Sequence, residues 1–239
     1  VCQGTGTSFS VTATGTGITY QWHEDTGGGF VNLANGGVYS NVTTATMSIS
    51  NVLGKGGYRY RAVVSGTCSP ASTSTSATLT EQKNPVVTVP PSNATVCAGN
   101  NTTFSVTATG TGLSYQWQED SGSGFGNITN GGVYSGATTA TLTLTGITAG
   151  MTGNDYRVVI TGTCAPTTSA AGILTVNTLP LVTVNPVDVT VCEGLGTSFS
   201  VTATGTGITY QWQEDTGGGF VNLANGGVYS NVTTATMSI

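Results

Sequence analysis

The sequence carries little charge of either sign. Charged residues make up 6% of its 239 residues, and the formal net charge at pH 7 is −5. Its five cations form no basic patch; they are Lys55, Arg59, Arg61, Lys83 and Arg157. A nucleic-acid partner requires clustered Lys and Arg side chains that replace the counterions of the phosphates. The composition therefore argues against binding to nucleic acid.

Long apolar runs and helical periodicity are also absent. A membrane-spanning helix needs about 20 consecutive apolar residues, and no such run occurs in this sequence. Disorder is disfavoured too, because Val, Ile, Tyr and Trp recur with the period of two that a half-buried strand shows. Thr and Val suit a pleated surface, and Gly and Asn supply turns. The sequence predicts an all-β protein.

One short motif occurs three times, and successive copies are offset by 95 residues. Its copies are Tyr20-Gln21-Trp22, Tyr115-Gln116-Trp117 and Tyr210-Gln211-Trp212. A fixed period of this length indicates tandem copies of one module. We predict three repeats: repeat 1 at residues 1–83, without its first strand; repeat 2 at 84–178, complete; and repeat 3 at 179–239, without its last strands.

The third repeat is almost a copy of the first. Residues 192–239 match residues 2–49 except at the pairs Gln3/Glu193, Thr5/Leu195 and His23/Gln213. Repeat 1 continues well beyond Ser50, whereas repeat 3 has no counterpart to that second half. A sandwich without its last strands would expose its core. We therefore expect the chain to be a window of a longer repetitive polypeptide.

Repeat 2 reads as about seven short strands separated by turn signals. The turn that leads into strand B is predicted at Val96–Gly99. The predicted strands are A at Val86–Val89, B at Thr103–Ala108, C at Leu113–Glu119, a short strand at Phe125–Ile128, E at Thr139–Thr145, F at Asp155–Thr161 and G at about Ala170–Val176. This pattern is typical of an immunoglobulin-like sandwich. Because the Pro-containing linkers are short, we expect tandem sandwiches stacked end to end as a semi-rigid rod.

The core of each sandwich should form around the Trp of the repeated motif, because Trp22, Trp117 and Trp212 are the largest apolar side chains of their repeats. In an antibody domain, a disulfide between strands B and F crosses the core. Aliphatic side chains occupy those positions here. The predicted core pairs are Val11 with Ala62 in repeat 1 and Val106 with Val158 in repeat 2.

Five cysteines lie in register across the repeats. Cys2, Cys97 and Cys192 precede strand B, whereas Cys68 and Cys164 follow strand F. Such register favours disulfide bonds in an oxidising compartment over scattered free thiols. No His or second Cys lies at the spacing of zinc ligands.

Two pairings of these cysteines remain open. A bond between Cys97 and Cys164 within one domain would need a non-standard strand order, because the start of strand B and the end of strand F lie at opposite ends of a sandwich. In a tandem rod, however, these ends of neighbouring domains face each other. We therefore favour an interdomain bond between Cys2 and Cys164. Cys97 would then pair with a cysteine beyond residue 239, and Cys68 with one before residue 1.

Two polar features have the chemistry of possible sites. The pairs Glu24-Asp25, Glu119-Asp120 and Glu214-Asp215 recur at the end of strand C. Two carboxylates alone are too few for Ca²⁺, which takes six to eight oxygens, so we expect a solvated strand end. His23, the only His, is replaced by Gln in the other repeats. A general base would be retained in equivalent units, so we expect His23 to be an exposed strand residue.

Several motifs together resemble the tandem immunoglobulin-like repeats of giant bacterial surface proteins. They are Val96-Cys97-Ala98-Gly99, Phe104-Ser105-Val106, Tyr115-Gln116-Trp117, Tyr156-Arg157 and Gly162-Thr163-Cys164. Such repeats are common in adhesins that Gram-negative bacteria export to their outer surface, often by the type IX route. The resemblance implies an extracellular, cell-surface location and a structural or adhesive role. The family shares no catalytic residues, so none can be assigned to this sequence from the resemblance.

Two functions follow as hypotheses. The first is a structural stalk or filament, whose partners are neighbouring repeats and other copies in a filament. The second is a multivalent module that binds a surface glycan or protein through its near-identical loops, such as Thr26–Gly29 and Thr216–Gly219. Because no catalytic set or metal-ligand set can be assembled, we predict neither enzymatic activity nor a metal or cofactor.

Overall fold

The computed structural model describes residues 1–239 and shows a chain built of short β-strands. Its one helical segment is a single 3₁₀ turn at Ala149–Met151. The prediction of an all-β chain of tandem immunoglobulin-like sandwiches is confirmed. The strands of each repeat pair only with strands of the same repeat.

The strands are numbered along the chain. Repeat 1 contains β1 Thr7–Ser10, β2 Thr19–Asp25, β3 Val31–Asn32, β4 Tyr39–Ser40, β5 Thr46–Ile49, β6 Arg59–Ser65, β7 Ser72–Thr73 and β8 Ala77–Thr78. Repeat 2 contains β9 Val86–Val89, β10 Ala94–Cys97, β11 Thr102–Ser105, β12 Thr107–Thr109, β13 Ser114–Asp120, β14 Gly126–Asn127, β15 Tyr134–Ser135, β16 Thr141–Leu144, β17 Asp155–Thr161, β18 Thr167–Thr168 and β19 Gly172–Asn177. Repeat 3 contains β20 Leu181–Val184, β21 Ser198–Ser200, β22 Thr202–Thr204, β23 Gln213–Glu214, β24 Val221–Asn222 and β25 Thr236–Ser238.

Repeat 2 is a complete sandwich. One sheet has the strand order β11-β16-β15, and the other has the order β10-β19-β17-β13-β14. Thirteen buried apolar residues fill the space between the sheets. The predicted bounds of strand F agree with β17, and Trp117 lies opposite Val158 where β13 pairs with β17.

The beginning of repeat 2 differs from the prediction. Strand A is followed by a second segment, β10, which pairs in parallel with β19 and ends at Cys97. The predicted turn at Val96–Gly99 is therefore wrong in its first half. Pro90 and Pro91 lack the N–H that a strand pairing needs, so β9 ends before them and the chain crosses to the other sheet.

Predicted strand B is also divided in two. Its first part, β11, pairs with β16, and its second part, β12, pairs with β9 on the other side. Between the two parts, the Val106 N–H donates to the Ala140 carbonyl oxygen at 3.0 Å. Val106 itself remains buried. The strand is divided because its two halves find partners in different segments of the chain.

The first two Trp side chains lie in the core as predicted. Trp22 is 3% exposed and Trp117 is fully buried. Each indole N–H donates to a backbone carbonyl oxygen at 2.9 Å, from Trp22 to Thr44 and from Trp117 to Thr139. A buried Trp needs such an acceptor because its indole N–H would otherwise lose its hydrogen bond with water. Ala62 and Val158 are fully buried beside them.

Two predicted core residues need correction. Val11 is only half-buried, because residues 1–83 contain no strand equivalent to β9 that would cover it. Trp212 is also half-buried, because residues 179–239 contain no strand equivalent to β17 that would pack against it. The buried residues of repeat 3 are Val232 and Met237, and they belong to no large core cluster.

Candidate functional site: the junction between repeats

A disulfide bond between Cys2 and Cys164 joins repeat 1 to repeat 2. The two Cα atoms lie 5.7 Å apart, within the usual range for a disulfide. Cys2 lies beside Gln82 in a parallel β-bridge at one end of repeat 1, and Cys164 follows β17 at the facing end of repeat 2. This is the interdomain pair that the sequence analysis favoured. The bond lies beside the covalent linker, since Cys164 Sγ is 3.6 Å from the Gln82 carbonyl oxygen, and it adds a second covalent connection between the two sandwiches.

The remaining cysteines carry free thiols. Cys68, Cys97 and Cys192 are exposed. Cys97 and Cys192 have the same register as Cys2, and Cys68 has that of Cys164. The alternative bond between Cys97 and Cys164 is not formed, since Cys164 is bonded to Cys2. The standard strand order of repeat 2 keeps Cys97 and Cys164 at opposite ends of the sandwich.

The linker into repeat 2 is held by hydrogen bonds to the turn that follows β12. The Lys83 N–H donates to Thr111 Oγ1 at 2.9 Å, and the Thr111 N–H donates back to the Lys83 carbonyl oxygen at 3.1 Å. The linker into repeat 3 repeats both bonds between Thr178 and Thr206, at 2.9 and 3.1 Å. Sequence reasoning missed this reciprocal pair, although Thr occupies the same register at 111 and 206. The two junctions between repeats therefore begin with the same pair of hydrogen bonds.

A proline completes the linker. Pro85 is buried, and a Cβ placed on Gly110 or Gly162 would lie only 2.9 or 3.0 Å from its atoms. The linker proline packs equally closely at the next junction, where a Cβ on Gly205 would lie 3.0 Å from Pro180. Glycine is required at these positions because the linker backbone passes too close for any side chain.

The acidic pairs have a structural role that the sequence analysis did not predict. Asp25 is 2% exposed, and its Oδ1 accepts hydrogen bonds from the Gly27 and Gly29 N–H groups at 2.7 and 3.0 Å. These two bonds, and the ion pair with Arg59, lower the pKa of the Asp25 carboxyl. Asp120 and Asp215 close their own glycine turns in the same way. The expectation of a solvated strand end is therefore wrong for Asp25.

The Glu of each pair accepts hydrogen bonds from tyrosine hydroxyls. Glu119 Oε1 accepts from Tyr134 at 2.6 Å, and from Tyr156 and Asn154 at 2.7 Å. In repeat 1, Glu24 accepts from Tyr60 at 2.9 Å and from Tyr39. Burial, followed by the bond to Glu119, raises the pKa of Tyr134 to about 12.

This Glu–Tyr cluster was missed by sequence reasoning, although its members recur in register. The only available signal was the constant spacing of Glu24, Glu119 and Glu214 from the tyrosines that follow them. No group of three or more His, Cys, Asp or Glu residues is arranged to hold a metal ion.

His23 is not simply an exposed strand residue. His23 lies opposite Asn32 on one neighbouring strand and opposite Arg61 on the other. The Nδ1 of His23 and the Nε of Arg61 are both buried without a hydrogen-bond partner. Burial, followed by the charge of Arg61, lowers the pKa of His23. In repeat 2, Gln118 takes its place.

Gln118 satisfies the contacts that His23 leaves open. Its Oε1 accepts from Arg157 Nε at 2.9 Å, and its Nε2 donates to Asn127 at 2.8 Å. Arg61 and Arg157 lie at equivalent positions of the two repeats. His23 therefore leaves a local defect in a network that the Gln of repeat 2 completes.

Comparisons with known proteins agree with this architecture. A family model described as "Domain of unknown function (DUF8696)" matches residues 87–178, nearly the whole of repeat 2. Endoglucanase C of Cellulomonas fimi is 36% identical over 138 residues, which make up 56% of this chain and 12% of that enzyme. The chain thus spans about an eighth of the length of this curated relative.

Solved structures share the fold along the whole chain. A three-domain I-band fragment of titin and its Glu-to-Ala variant each superimpose with a TM-score of 0.71 at 18% sequence identity. Each alignment covers 100% of this chain and 83% of the titin fragment. At this identity, the likeness defines a tandem immunoglobulin-like fold. None of the helical residues forms a segment long and apolar enough to cross a membrane.

Proposed function

We propose that residues 1–239 are the structural repeat region of a bacterial extracellular surface filament or adhesin stalk. The observation that carries this proposal is the Cys2–Cys164 bond, because it joins neighbouring domains and leaves each core free of disulfides. A bond across a domain core would stabilise the individual domain. A bond between domains limits the angle between them, which is the property that a stalk requires.

The two linkers support the same function. Lys83 and Thr178 each form a reciprocal pair of hydrogen bonds with the following repeat, so the chain enters both repeats in the same way. These anchors also support the proposed domain limits at 83/84 and 178/179. Repeated junctions of one geometry build a semi-rigid rod, whose partners are the neighbouring repeats and, in a filament, other copies.

An extracellular location is part of the proposal. Disulfides persist in oxidising compartments and are rare in the reducing cytosol. The resemblance to exported bacterial surface repeats supports the same location. Cys97 would form the next interdomain bond if a repeat with a cysteine at the position of Cys164 followed it.

The proposed function includes no catalysis. Glycoside hydrolysis, for instance, uses two carboxyl groups that flank the bond to be cleaved. In repeat 2, one oxygen of each candidate carboxyl is already engaged, since Asp120 Oδ1 accepts from glycine N–H groups and Glu119 Oε1 accepts from tyrosine hydroxyls.

The test is to image the native polypeptide by electron microscopy on intact cells, with antibodies against residues 1–239 as the label. Straight projections with an axial repeat of one domain are expected, roughly 30–40 Å at the strand lengths of a sandwich. Labelling that requires permeabilised cells, or flexible strings without an axial repeat, would contradict the proposal.

A second candidate is a module that binds glycans. The similarity to Endoglucanase C of Cellulomonas fimi favours it, since that protein's name indicates action on a glucan. A pull-down of the chain on insoluble cellulose, followed by a glycan array, distinguishes the two. Retention that soluble glucan competes away would support binding, and a chain that stays in the supernatant would support the stalk.

A further inference from the structure

We infer that the Cys2–Cys164 bond carries tension past repeat 1 and most of repeat 2. A chain under tension is loaded only along its taut covalent path, which is the shortest one between the two points that are pulled. A load that reaches Cys2 from its N-terminal side crosses the disulfide to Cys164, 162 positions further along the sequence. Residues 3–163 form a closed covalent loop beside that path. They stay unloaded for as long as the bond is intact.

Both ends of this loop lie at the junction between repeats 1 and 2. Cys2 forms a parallel β-bridge with Gln82, and Cys164 Sγ is 3.6 Å from the Gln82 carbonyl oxygen. The linker that begins at Lys83 is therefore inside the loop, and its hydrogen bonds to repeat 2 bear no load. The linker that begins at Thr178 makes the same pair of hydrogen bonds but lies on the loaded path.

Of the strands of repeats 1 and 2, only β18 and β19 lie on the loaded path. The strands β1 to β17 all fall within residues 3–163. β19 pairs in parallel with β10 over four residue pairs, the last of which joins Cys97 and Asn177. The load enters repeat 2 at Cys164 and leaves it beyond Asn177, at the opposite end of the sandwich. It is therefore directed along β19.

β19 is well anchored against such a load. Leu174 is fully buried, its N–H donates to the Asn154 carbonyl oxygen at 2.9 Å, and its carbonyl oxygen accepts from the Gly153 N–H at 2.7 Å. The Val176 N–H donates to Thr152 Oγ1 at 2.9 Å. Because the load runs along the strand, these bonds and the ladder with β10 share it and must break together.

This inference gives the proposed stalk a mechanical property, and its biological use rests on that proposed function. A tandem chain lengthens under load when its domains unfold one after another. The bond keeps residues 3–163 out of any such extension, and at about 3.3–3.6 Å per residue this segment would otherwise release about 530–580 Å. A stalk built in this way keeps its length under load.

The test is force spectroscopy on the full chain, held through peptide tags added before Val1 and after Ile239. Without reductant, the fully stretched chain should stop at about 260–280 Å, the extended length of residues 1–2 and 164–239. After reduction, it should reach about 790–860 Å, roughly threefold further. A stop at about 570–620 Å without reductant would indicate a bond between Cys97 and Cys164 and would overturn the inference. Full extension without reductant would overturn it as well.

Two serine variants assign the stop to one bond. Cys164→Ser should extend fully without reductant, as the reduced chain does. Cys68→Ser is the matched control, because Cys68 has the register of Cys164 but carries a free thiol. This control should stop where the unaltered oxidised chain stops. The lengths are measured on stretched chains, so a loss of stability in Cys164→Ser does not affect the comparison. Equal lengths of the two variants would refute the bypass.

A second pair of variants tests which repeat the load reaches. Leu79 and Leu174 occupy equivalent buried positions in repeats 1 and 2. Without reductant, Leu174→Ala should lower the force at which β19 detaches, whereas Leu79→Ala should leave the force trace unchanged. After reduction, Leu79→Ala should lower the force at which repeat 1 unfolds. A change in the oxidised trace caused by Leu79→Ala would show that tension crosses repeat 1 and would contradict the inference.

The force measurements and the images of cells fail independently of each other. A chain that stops at about 260–280 Å but is labelled only in permeabilised cells would support the bypass and refute the stalk. Straight surface projections, built of a chain that extends fully without reductant, would support the stalk and refute the bypass.

Discussion

Residues 2–49 and 192–239 have nearly the same sequence but different structures. In repeat 1, strand β2 extends over seven residues and Trp22 is 3% exposed. In repeat 3, the matching strand β23 has two residues and Trp212 is half-buried. Phe30 lies under the guanidinium of Arg61 at 3.9 Å, whereas the equivalent Phe220 is 71% exposed.

Other features are the same in both stretches. Gln211 and Trp212 make the hydrogen bonds of Gln21 and Trp22, and Asp215 closes its glycine turn as Asp25 does. These bonds join residues at most 22 positions apart. The turns and short hairpins are thus specified locally. The full length of strand C and the burial of the core depend on β6, which has no counterpart among residues 179–239.

The largest expected effect concerns the repeated Trp. Trp22→Ala should lower the free energy of unfolding of repeat 1 by about 3–5 kcal/mol, the usual cost of deleting a large buried aromatic side chain. Trp212→Ala should cost repeat 3 far less, because that side chain is half-buried. Hydrogen exchange with mass spectrometry, resolved by repeat, measures both. Equal losses of stability in repeats 1 and 3 would contradict the difference in burial between Trp22 and Trp212.

The Glu–Tyr cluster should give the next largest effect. Glu24→Ala leaves the buried Tyr60 hydroxyl without its carboxylate acceptor, which should cost repeat 1 about 1–3 kcal/mol. Glu214→Ala should produce no comparable loss, since Glu214 accepts only from Tyr229. Adding Tyr60→Phe to Glu24→Ala removes the hydroxyl that has lost its carboxylate acceptor and should recover part of the stability; no recovery would show that the hydroxyl was not the cause.

His23→Gln should stabilise repeat 1. The new Gln can accept from Arg61 and donate to Asn32, as Gln118 does with Arg157 and Asn127, and each hydrogen bond contributes about 0.5–1.5 kcal/mol. The midpoint of denaturant unfolding measures the gain. His23→Ala is the control, because it removes the ring without adding a partner and should not stabilise.

The same residue predicts a smaller, pH-dependent effect. The pKa of His23 is lowered in the folded chain, so below its ordinary value of 6.5 the unfolded chain binds a proton that the folded chain does not. The stability of repeat 1 should therefore fall as the pH drops through 6.5 toward the folded pKa. His23→Gln should remove this slope; an unchanged slope would assign it to another group.

Sequence periodicity predicted the fold because strand patterns and turn residues act locally. The bounds of β17, the central Trp residues and the register of the cysteines could all be read from repeated positions. The division of strand B and the cluster around Glu24 could not, because they depend on partners far along the chain, such as Tyr60, 36 residues from Glu24. Residues 192–239 show the same limit, since their sequence predicts a core that only more distant strands complete.

The central claim is that a disulfide joins neighbouring domains, and a non-reducing peptide map tests it most directly. After free thiols are alkylated, trypsin separates Cys2 in residues 1–55, Cys97 in 84–157 and Cys164 in 158–239. We predict that 1–55 is linked to 158–239, and that fragmentation places the bond at Cys164 while Cys192 is alkylated. A link between 84–157 and 158–239 through Cys97 and Cys164 would contradict the account.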